Sequence, residues 1–141
     1  MRAELRPSSI RVLVVDDYEP FRRLVRSTLA KRQDLEVIGE ATDGLEALHM
    51  AERLQPDLIL LDIGLPTLNG IEIARRMSER SSNSKILFLS QNPDLNVVHA
   101  ALDTGALAYV HKTNTQGELL PAIEAVLRGN QFVSSSLKGK N

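Results

Sequence analysis

Short apolar runs alternate along the chain with segments whose apolar residues recur every three or four positions. The runs are rich in Val, Ile and Leu, and they occupy residues 10–15, 35–40, 57–61, 85–90 and 106–110. Their length and composition are typical of strands that are buried on both faces of a sheet. The pattern therefore predicts five strands separated by elements of another kind.

The segments between the runs show the periodicity of amphipathic helices. After the first run, apolar or small residues fall at i, i+3, i+4, i+7 and i+8, the spacing of one helical face. These residues are Phe21, Leu24, Val25, Thr28 and Leu29. Arg22, Arg23 and Arg26 then turn outward. Similar stripes follow the second, third and fourth runs, which predicts one helix after each strand.

The start of the fifth helix has two interpretations. Thr115-x-x-Glu118 resembles a capping box, which predicts a start at the threonine. Pro121 would then lie beyond the first turn, where it removes a backbone hydrogen bond. The helix therefore either begins later or is kinked at the proline, and the sequence leaves both possibilities open.

Five repeats of strand and helix imply crossover connections, and hence a parallel sheet with helices on both faces. The predicted fold is a doubly wound α/β domain with a five-stranded parallel sheet and five helices. In the common strand order 2-1-3-4-5, ligands bind beyond the carboxyl ends of the strands. Residues that end a strand are therefore the first candidates for a functional site.

Polar side chains gather at those predicted strand ends. They are Asp16, Asp17, Asp62, Ser90, Tyr109 and Lys112. Strands one and three would be neighbours about 4.8 Å apart, so the three carboxylates would crowd and repel one another. Magnesium prefers oxygen ligands, and two carboxylates with a loop carbonyl such as that of Gly64 make a plausible set.

A carboxylate beside magnesium and lysine indicates the chemistry of an aspartyl phosphate. Asp62 would attack the phosphorus, the cations would neutralise the phosphoryl oxygens, and Ser90 could donate a hydrogen bond to one of them. Taken singly, each residue has an ordinary explanation: acids favour helix starts, and a lone lysine is usually solvated. Their convergence at one edge of the sheet favours the functional interpretation.

Composition narrows the possibilities further. The 141 residues include no cysteine, which excludes disulfides, thiol catalysis and cysteine metal sites. With 17 basic and 18 acidic residues, the net charge of −1 gives no general attraction to nucleic acid. No apolar run is long enough to span a membrane and no signal peptide is evident, so we expect a cytoplasmic protein without a membrane partner. The spacing of His49, His99 and His111 is not that of metal ligands, and we expect them at the surface or the edge of the core.

Four stretches of the chain resemble the receiver domain of two-component response regulators. They read "RVLVVDDYEPFRRLV", "PDLILLDIGLPTLNGIEIARRM", "ILFLS" and "GALAYVHKTNTQGELLPAIEAVLRG". The resemblance covers residues 10–129 and implies a flavodoxin-like receiver fold. It leaves 1–9 as an N-terminal extension and 130–141 as a linker or tail. We expect a receiver cut from a longer regulator, and a single-domain regulator is the alternative.

The resemblance implies a role for each residue at the strand ends. Asp62 would be phosphorylated by a partner sensor histidine kinase, while Asp16 and Asp17 hold Mg²⁺ and Lys112 and Ser90 contact the phosphoryl group. The domain would then be a phosphoacceptor for signalling rather than an enzyme, apart from a possible autodephosphorylation.

The resemblance also implies a switch and an output. Tyr109 would swing inward once Ser90 engages the phosphoryl group. The stretches "GLPTLNG" and "EAVLRGNQFVSSSL" are most similar to receivers that precede a helix-turn-helix domain in transcription regulators. This similarity implies a phosphorylation-sensitive homodimer that reaches DNA only through an output domain absent from this chain.

Three positions depart from the usual receiver pattern. Gln91 follows Ser90 where a small residue is common, so its amide could crowd the phosphoryl group or bind the water that attacks it. Thr113 follows Lys112 where proline is common, which predicts a trans peptide bond at this point. Gly64 offers only its backbone to the cleft.

Three other functions compete with the phosphoacceptor. A degenerate receiver would bind partners without being phosphorylated, and Gln91 is the residue that speaks for it. An aspartyl-phosphate phosphatase would use the same groups, but its nucleophile follows the first strand in a D-x-D pair, whereas "DIG" follows the third strand here. A flavodoxin-like electron carrier is disfavoured because "DDYEP" would repel the phosphate of its cofactor.

Overall fold

The computed structural model describes residues 9–80 and 83–138, so the predicted N-terminal extension lies outside it except for residue 9. The strands are β1 (Ile10–Val15), β2 (Leu35–Ala41), β3 (Leu58–Asp62), β4 (Lys85–Ser90), β5 (Ala108–His111) and β6 (Phe132–Val133). The helices are α1 (Glu19–Leu29), α2 (Gly44–Leu54), α3 (Gly70–Glu79), α4 (Leu95–Leu102), α5 (Thr115–Leu127) and α6 (Ser135–Lys138).

The strands form one parallel sheet in the order β2-β1-β3-β4-β5-β6. This order confirms the predicted doubly wound fold, because the chain runs outward from β1 in one direction to β2 and in the other through β3, β4 and β5. Val15 of β1 lies beside Leu61 of β3, and Asp62 lies beside Leu89 of β4. The carboxyl ends of these strands therefore open at the same edge.

Helices cover both faces of the sheet, and each face has its own apolar core. Successive residues of a strand point to opposite faces. Ile59 and Leu61 accordingly pack with α2, α3 and α4, whereas Leu58 and Leu60 pack with α1 and α5. All of β3 is buried, which explains why the central strands are continuously apolar in sequence.

The helices agree with the sequence pattern in number and place up to α5, whose start the sequence left open. α5 begins at Thr115 and runs through Pro121, so a later start is wrong. A single 3-10 turn, Lys112–Asn114, leads into it, and the peptide bond between Lys112 and Thr113 is trans as predicted. None of the helices in residues 9–80 and 83–138 is long and apolar enough to cross a bilayer.

The prediction of five strands and five helices falls one strand and one helix short. Residues 132–138, here called the C-terminal arm, add β6 and α6 beside β5. The Phe132 N–H donates to the carbonyl of Leu107 (2.9 Å), and the Ser134 N–H donates to that of Tyr109 (3.0 Å). Leu137 is only 1 % exposed and joins the core beneath α4. The arm therefore covers backbone groups that β5 would otherwise expose at the sheet edge.

The sequence predicts a linker or tail over 130–141 because the strand of the arm has two residues and its burial depends on one leucine. Neither feature produces a periodic pattern that sequence inspection detects. The boundary at residue 129 between receiver and linker stays a prediction.

Glu118 of α5 clamps the arm to the domain. Its carboxylate accepts hydrogen bonds from the Ser134 hydroxyl (2.5 Å) and from the hydroxyl and N–H of Ser135 (2.9 and 3.3 Å). Partial burial raises the pKa of Glu118, but these hydrogen bonds outweigh that effect and lower it overall. The predicted capping box is therefore absent: the Thr115 hydroxyl donates instead to the carbonyl of Lys112 (2.7 Å).

We expect Glu118→Gln to loosen the arm, because a neutral amide accepts weaker hydrogen bonds than a carboxylate. Hydrogen exchange of residues 132–137 should accelerate, while exchange in β1 stays unchanged. The lowered pKa means that the carboxylate stabilises the folded state above its usual value of 4.5 and that this contribution is lost as the pH falls through the folded pKa. The difference between wild type and variant should therefore shrink in acid.

Glu124→Gln is the matched control for this experiment, since Glu124 lies on the same helix but pairs with Arg32 and Arg128. Equal acceleration of the arm in both variants would contradict a specific clamp at Glu118.

Candidate functional site

The ends of β1 and β3 bring three carboxylates into one cluster. Asp16, Asp17 and Asp62 each direct a carboxylate oxygen to a point where these atoms lie within 4.8 Å of one another. The cause is the parallel pairing of β1 with β3, in which Val15 and Leu61 are the last paired residues before the acids. The crowding predicted from the strand order is present in the structure.

The three carboxylates differ in burial and in hydrogen bonding. Asp16 is 2 % exposed and Asp62 is 6 % exposed, whereas Asp17 lies at the surface. Oδ1 of Asp16 accepts the N–H of Tyr18 (2.9 Å), and Oδ1 of Asp62 accepts the N–H of Gly64 (3.1 Å). The second oxygen of each buried carboxylate is left for the interior of the cluster.

Lys112 supplies the positive charge of the cluster. Its Nζ lies 2.6 Å from Oδ2 of Asp16 and 3.5 Å from Oδ2 of Asp62. The same ammonium group stands 4.5 Å from the ring centroid of Phe21, a favourable cation–π distance. The side chain is only 12 % exposed, so its charge acts in a region with little water.

The environment of Asp62 perturbs the pKa of its carboxyl group. Burial raises its pKa above the usual value of 3.8, the charge of Asp16 raises it further, and Lys112 and the Gly64 N–H act in the opposite direction. Ionisation of Asp62 in the folded protein therefore costs free energy. A further cation would relieve that cost.

The donor set suits a hard divalent cation. Oδ2 of Asp16 is buried and receives no aligned hydrogen bond, although the Lys112 ammonium lies close enough for an ion pair. Three carboxylates and no nitrogen or sulfur ligand in the cluster match the oxygen preference of Mg²⁺. Gly64 lines the same cleft, and a Cβ at its position would meet nothing closer than Asp62 Oδ1 at 4.0 Å. Its carbonyl stays a predicted ligand.

The carboxylates face an open cleft of about 540 Å³. Its lining residues are Asp17, Tyr18, Asp62, Ile63, Gly64, Ser90, Gln91, Asn92 and Lys112. Asp62 lines this open cleft and can be reached from it. Ser90 and Gln91, which the sequence predicts to lie near Asp62, border the same space.

Ser90 and Tyr109 meet at the loop that follows β4. The Ser90 hydroxyl accepts the N–H of Asn92 (3.0 Å), and the Tyr109 hydroxyl donates to the carbonyl of Asn92 (2.7 Å). The Tyr109 ring is wholly buried, 6.3 Å from the ring of Phe88, and burial raises the pKa of its hydroxyl. The inward position of Tyr109 is thus a feature of this structure, while its swing stays a prediction.

Residues 12–124 match the response regulator receiver domain family. The chain belongs to this family. Together with the parallel sheet, the match confirms the predicted receiver fold and the resemblance noted in the sequence.

The chain is similar in sequence to two curated regulators. It is 37 % identical over 131 residues to the transcriptional regulatory protein LiaR of Bacillus subtilis (strain 168), covering 93 % of this chain and 62 % of LiaR. It is 33 % identical over 126 residues to the nitrate/nitrite response regulator protein NarL of Escherichia coli (strain K12), covering 89 % of this chain and 58 % of NarL. The chain therefore spans less than two thirds of the length of these relatives.

Solved structures agree with this assignment. A two-component response regulator of the LuxR family from Aurantimonas sp. SI85-9A1 superposes with a TM-score of 0.87 at 30 % identity, covering 93 % of this chain and 94 % of the other. The response regulator domain of Thermotoga maritima CheB gives a TM-score of 0.78 at 30 % identity, with 85 % and 97 % covered. The chain is a receiver domain of the LuxR/NarL type.

Two residues near the site have contacts that the sequence pattern does not predict. Phe21 was expected only on the buried face of α1, yet its ring also supports Lys112. Arg22 was expected to turn outward, but its Nη1 donates to the carbonyl of Asp16 (2.8 Å) and its Nε to Glu40 (2.9 Å). The long arginine side chain reaches back across the first turn of α1, which helical periodicity does not reveal.

Gly70 is a third residue whose role only the structure shows. A Cβ at this position would lie 2.2 Å from the Asp62 carbonyl oxygen and 2.8 Å from Cα of Ile63. Its N–H donates to the carbonyl of Ile63 (2.8 Å) at the start of α3. The missing side chain lets α3 approach the end of β3 and hold the backbone next to Asp62.

We expect Asp62→Asn to stabilise the protein in metal-free buffer, raising Tm by about 3 °C, the effect of roughly 1 kcal/mol in a domain of this size. The amide removes a buried negative charge, and Lys112 keeps its closer partner Asp16. Because the folded pKa of Asp62 lies above 3.8, wild type loses stability relative to the variant as the pH rises above that value.

Thermal unfolding at several pH values measures this difference. Glu36→Gln, which removes an exposed acid from β2, is the matched control and should leave Tm nearly unchanged. A lower Tm for Asp62→Asn at neutral pH would contradict the cost assigned to the Asp62 charge.

Proposed function

We propose that this receiver accepts a phosphoryl group on Asp62, with Mg²⁺, from a sensor histidine kinase in the cytoplasm. The observation that carries the proposal is the meeting of a buried carboxylate of raised pKa with the Lys112 ammonium at an open cleft. The Lys112 ammonium favours the ionised, nucleophilic form of Asp62 and lies where a phosphoryl group would add negative charge.

Asp62 is the nucleophile in this proposal. Its Oδ1 is engaged by the Gly64 N–H, so Oδ2 is the oxygen that forms the new bond to phosphorus. The bond between phosphorus and the donor breaks at the same time, and its electron pair leaves with the donor group. With a phosphohistidine donor this group is the imidazole of the kinase, and with acetyl phosphate it is acetate.

Lys112 and Ser90 bind the transferred group. The Lys112 ammonium already lies 3.5 Å from Oδ2 of Asp62, close enough to neutralise charge on a phosphoryl group attached there. The Ser90 hydroxyl accepts a hydrogen bond from the Asn92 N–H and also contacts the Tyr109 hydroxyl, so its own hydrogen would turn towards a phosphoryl oxygen once that group is attached.

Asp16, Asp17 and Asp62, together with the carbonyl of Gly64, would hold Mg²⁺. The ion supplies charge neutralisation for the phosphoryl oxygens as the transfer proceeds. The Arg22 hydrogen bond to the Asp16 carbonyl holds the backbone that carries two of these acids.

Phosphorylation would change the hydrogen bonds of the loop after β4. When Ser90 donates to the phosphoryl group, the hydrogen bond between Ser90 and Asn92 changes, and Asn92 also accepts the Tyr109 hydroxyl. Tyr109 shares its core with Leu137 of the C-terminal arm and with Val98 of α4. The signal would therefore reach α4, β5 and the arm.

The output we propose is transcription regulation through a homodimer. LiaR is named a transcriptional regulatory protein, and this chain spans 62 % of it, so DNA would be reached through an output domain outside this chain. The exposed parts of Leu120 and Leu127 on α5 favour a contact between copies, although most apolar residues of that helix face the core.

Incubation with acetyl phosphate and Mg²⁺ should add one phosphoryl group to the wild-type protein, measured by intact mass. Asp62→Ala should show no adduct, and a chelator should suppress the adduct in wild type. Asp57→Ala is the matched control: it removes an exposed acid just before the amino end of β3, far from the cleft, and should be phosphorylated normally.

An adduct that persists in Asp62→Ala would show that another residue is the acceptor. If wild type forms no adduct while still binding Mg²⁺, the chain acts instead as a receiver that binds partners without phosphorylation.

Phosphorylation should raise the mass in solution from that of one chain towards that of two, as measured by light scattering after gel filtration. Asp62→Ala treated in the same way should remain at its starting mass. An identical mass for phosphorylated and unmodified wild type would contradict a phosphorylation-sensitive homodimer.

A further inference from the structure

His111 connects the two loops that border the cleft. It is the last residue of β5, where it pairs with Ser90 of β4, and it precedes Lys112. Its Nε2 lies 3.0 Å from the carbonyl oxygen of Gln91. The half-buried imidazole thus crosses from the end of β5 to the first residue after Ser90.

The hydrogen bonds assign the tautomer of this imidazole. Nδ1 accepts the backbone N–H of Thr113 (3.3 Å), which can act only as a donor, and the Thr113 hydroxyl lies 2.7 Å from the same nitrogen. Nδ1 therefore carries no hydrogen. The hydrogen is on Nε2, which donates it to the Gln91 carbonyl.

The backbone of His111 is held by the C-terminal arm. The backbone N–H of His111 donates to the Ser134 hydroxyl (2.8 Å), and that hydroxyl donates to Glu118. A residue fixed on both sides in this way can position a flexible neighbour, since little rotamer freedom remains to be lost.

Gln91 is such a neighbour. Its side chain is exposed at the cleft, and the hydrogen bond from His111 holds its backbone. The next residue, Asn92, is anchored separately by Ser90 and Tyr109. The position of the Gln91 backbone at the cleft therefore depends on the contact with His111.

We propose that His111 is a positioning residue for phosphoryl chemistry at Asp62. By fixing the Gln91 backbone, it holds the Ser90 hydroxyl and the Gln91 amide towards the transferred group. It thereby sets how fast the group arrives and how fast water removes it. The inference rests on the proposed function, because it concerns the rates of that reaction.

Two amide variants distinguish the contact made by Nε2 of His111 from the contacts made by Nδ1. The amide nitrogen of His111→Gln is as many bonds from Cα as Nε2 and can still donate to the Gln91 carbonyl. The amide of His111→Asn is one bond shorter, so it matches Nδ1 and does not reach that carbonyl. The pair differs by one methylene and keeps the same chemistry.

We expect His111→Asn to slow adduct formation from acetyl phosphate by about fivefold, the effect of losing one ordinary hydrogen bond. The half-life of the adduct should change as well. His111→Gln should stay within about twofold of wild type in both rates, and both variants should share one Tm. Intact mass at timed intervals gives the rates.

Hydrogen exchange on the unphosphorylated proteins tests the positioning without the reaction. Exchange in residues 91–94 should accelerate in His111→Asn and remain normal in His111→Gln. Rates and exchange equal to wild type in His111→Asn, or equal damage in both variants, would overturn the inference. Absence of an adduct in wild type would instead overturn the proposed function, and the exchange alone would then decide whether His111 holds the loop.

Discussion

The meeting of three carboxylates with one ammonium group is the constraint on which this site depends. Asp16 and Asp62 are buried at the ends of adjacent parallel strands, where water screens their repulsion poorly. Lys112 contacts both, but one positive charge does not balance three negative ones. Burial and the nearby charge of Asp16 raise the pKa of Asp62, and the excess of negative charge makes the cluster suited to a divalent cation.

The surrounding structure keeps these charges in place and connects them to distant parts of the fold. Gly70 lets α3 approach the backbone beside Asp62, and Arg22 holds the carbonyl of Asp16. On the other side of the cleft, Asn92 is shared between Ser90 and Tyr109. A change at the cleft can therefore reach the core beneath α4 without a long chain of intermediates.

Much of the fold and the main site residues could be predicted because their signals are local. β3 is a continuous apolar run that ends in Asp62, so both its burial and its acidic end are visible in the sequence. The C-terminal arm could not be predicted in this way, because β6 has two residues and Leu137 is a single apolar position among serines. Its stability comes from the edge of β5 and from Glu118, which are distant in sequence.

The sequence by itself determined the alternation of strands and helices, and with it the strand ends at which Asp16, Asp62 and Lys112 meet. These features follow from the period of the apolar pattern, which each short segment carries on its own. Only the tertiary structure decided that Arg22 turns inward and that His111 contacts Gln91. A long or polar side chain takes the partner that folding brings within reach, and no local pattern encodes that choice.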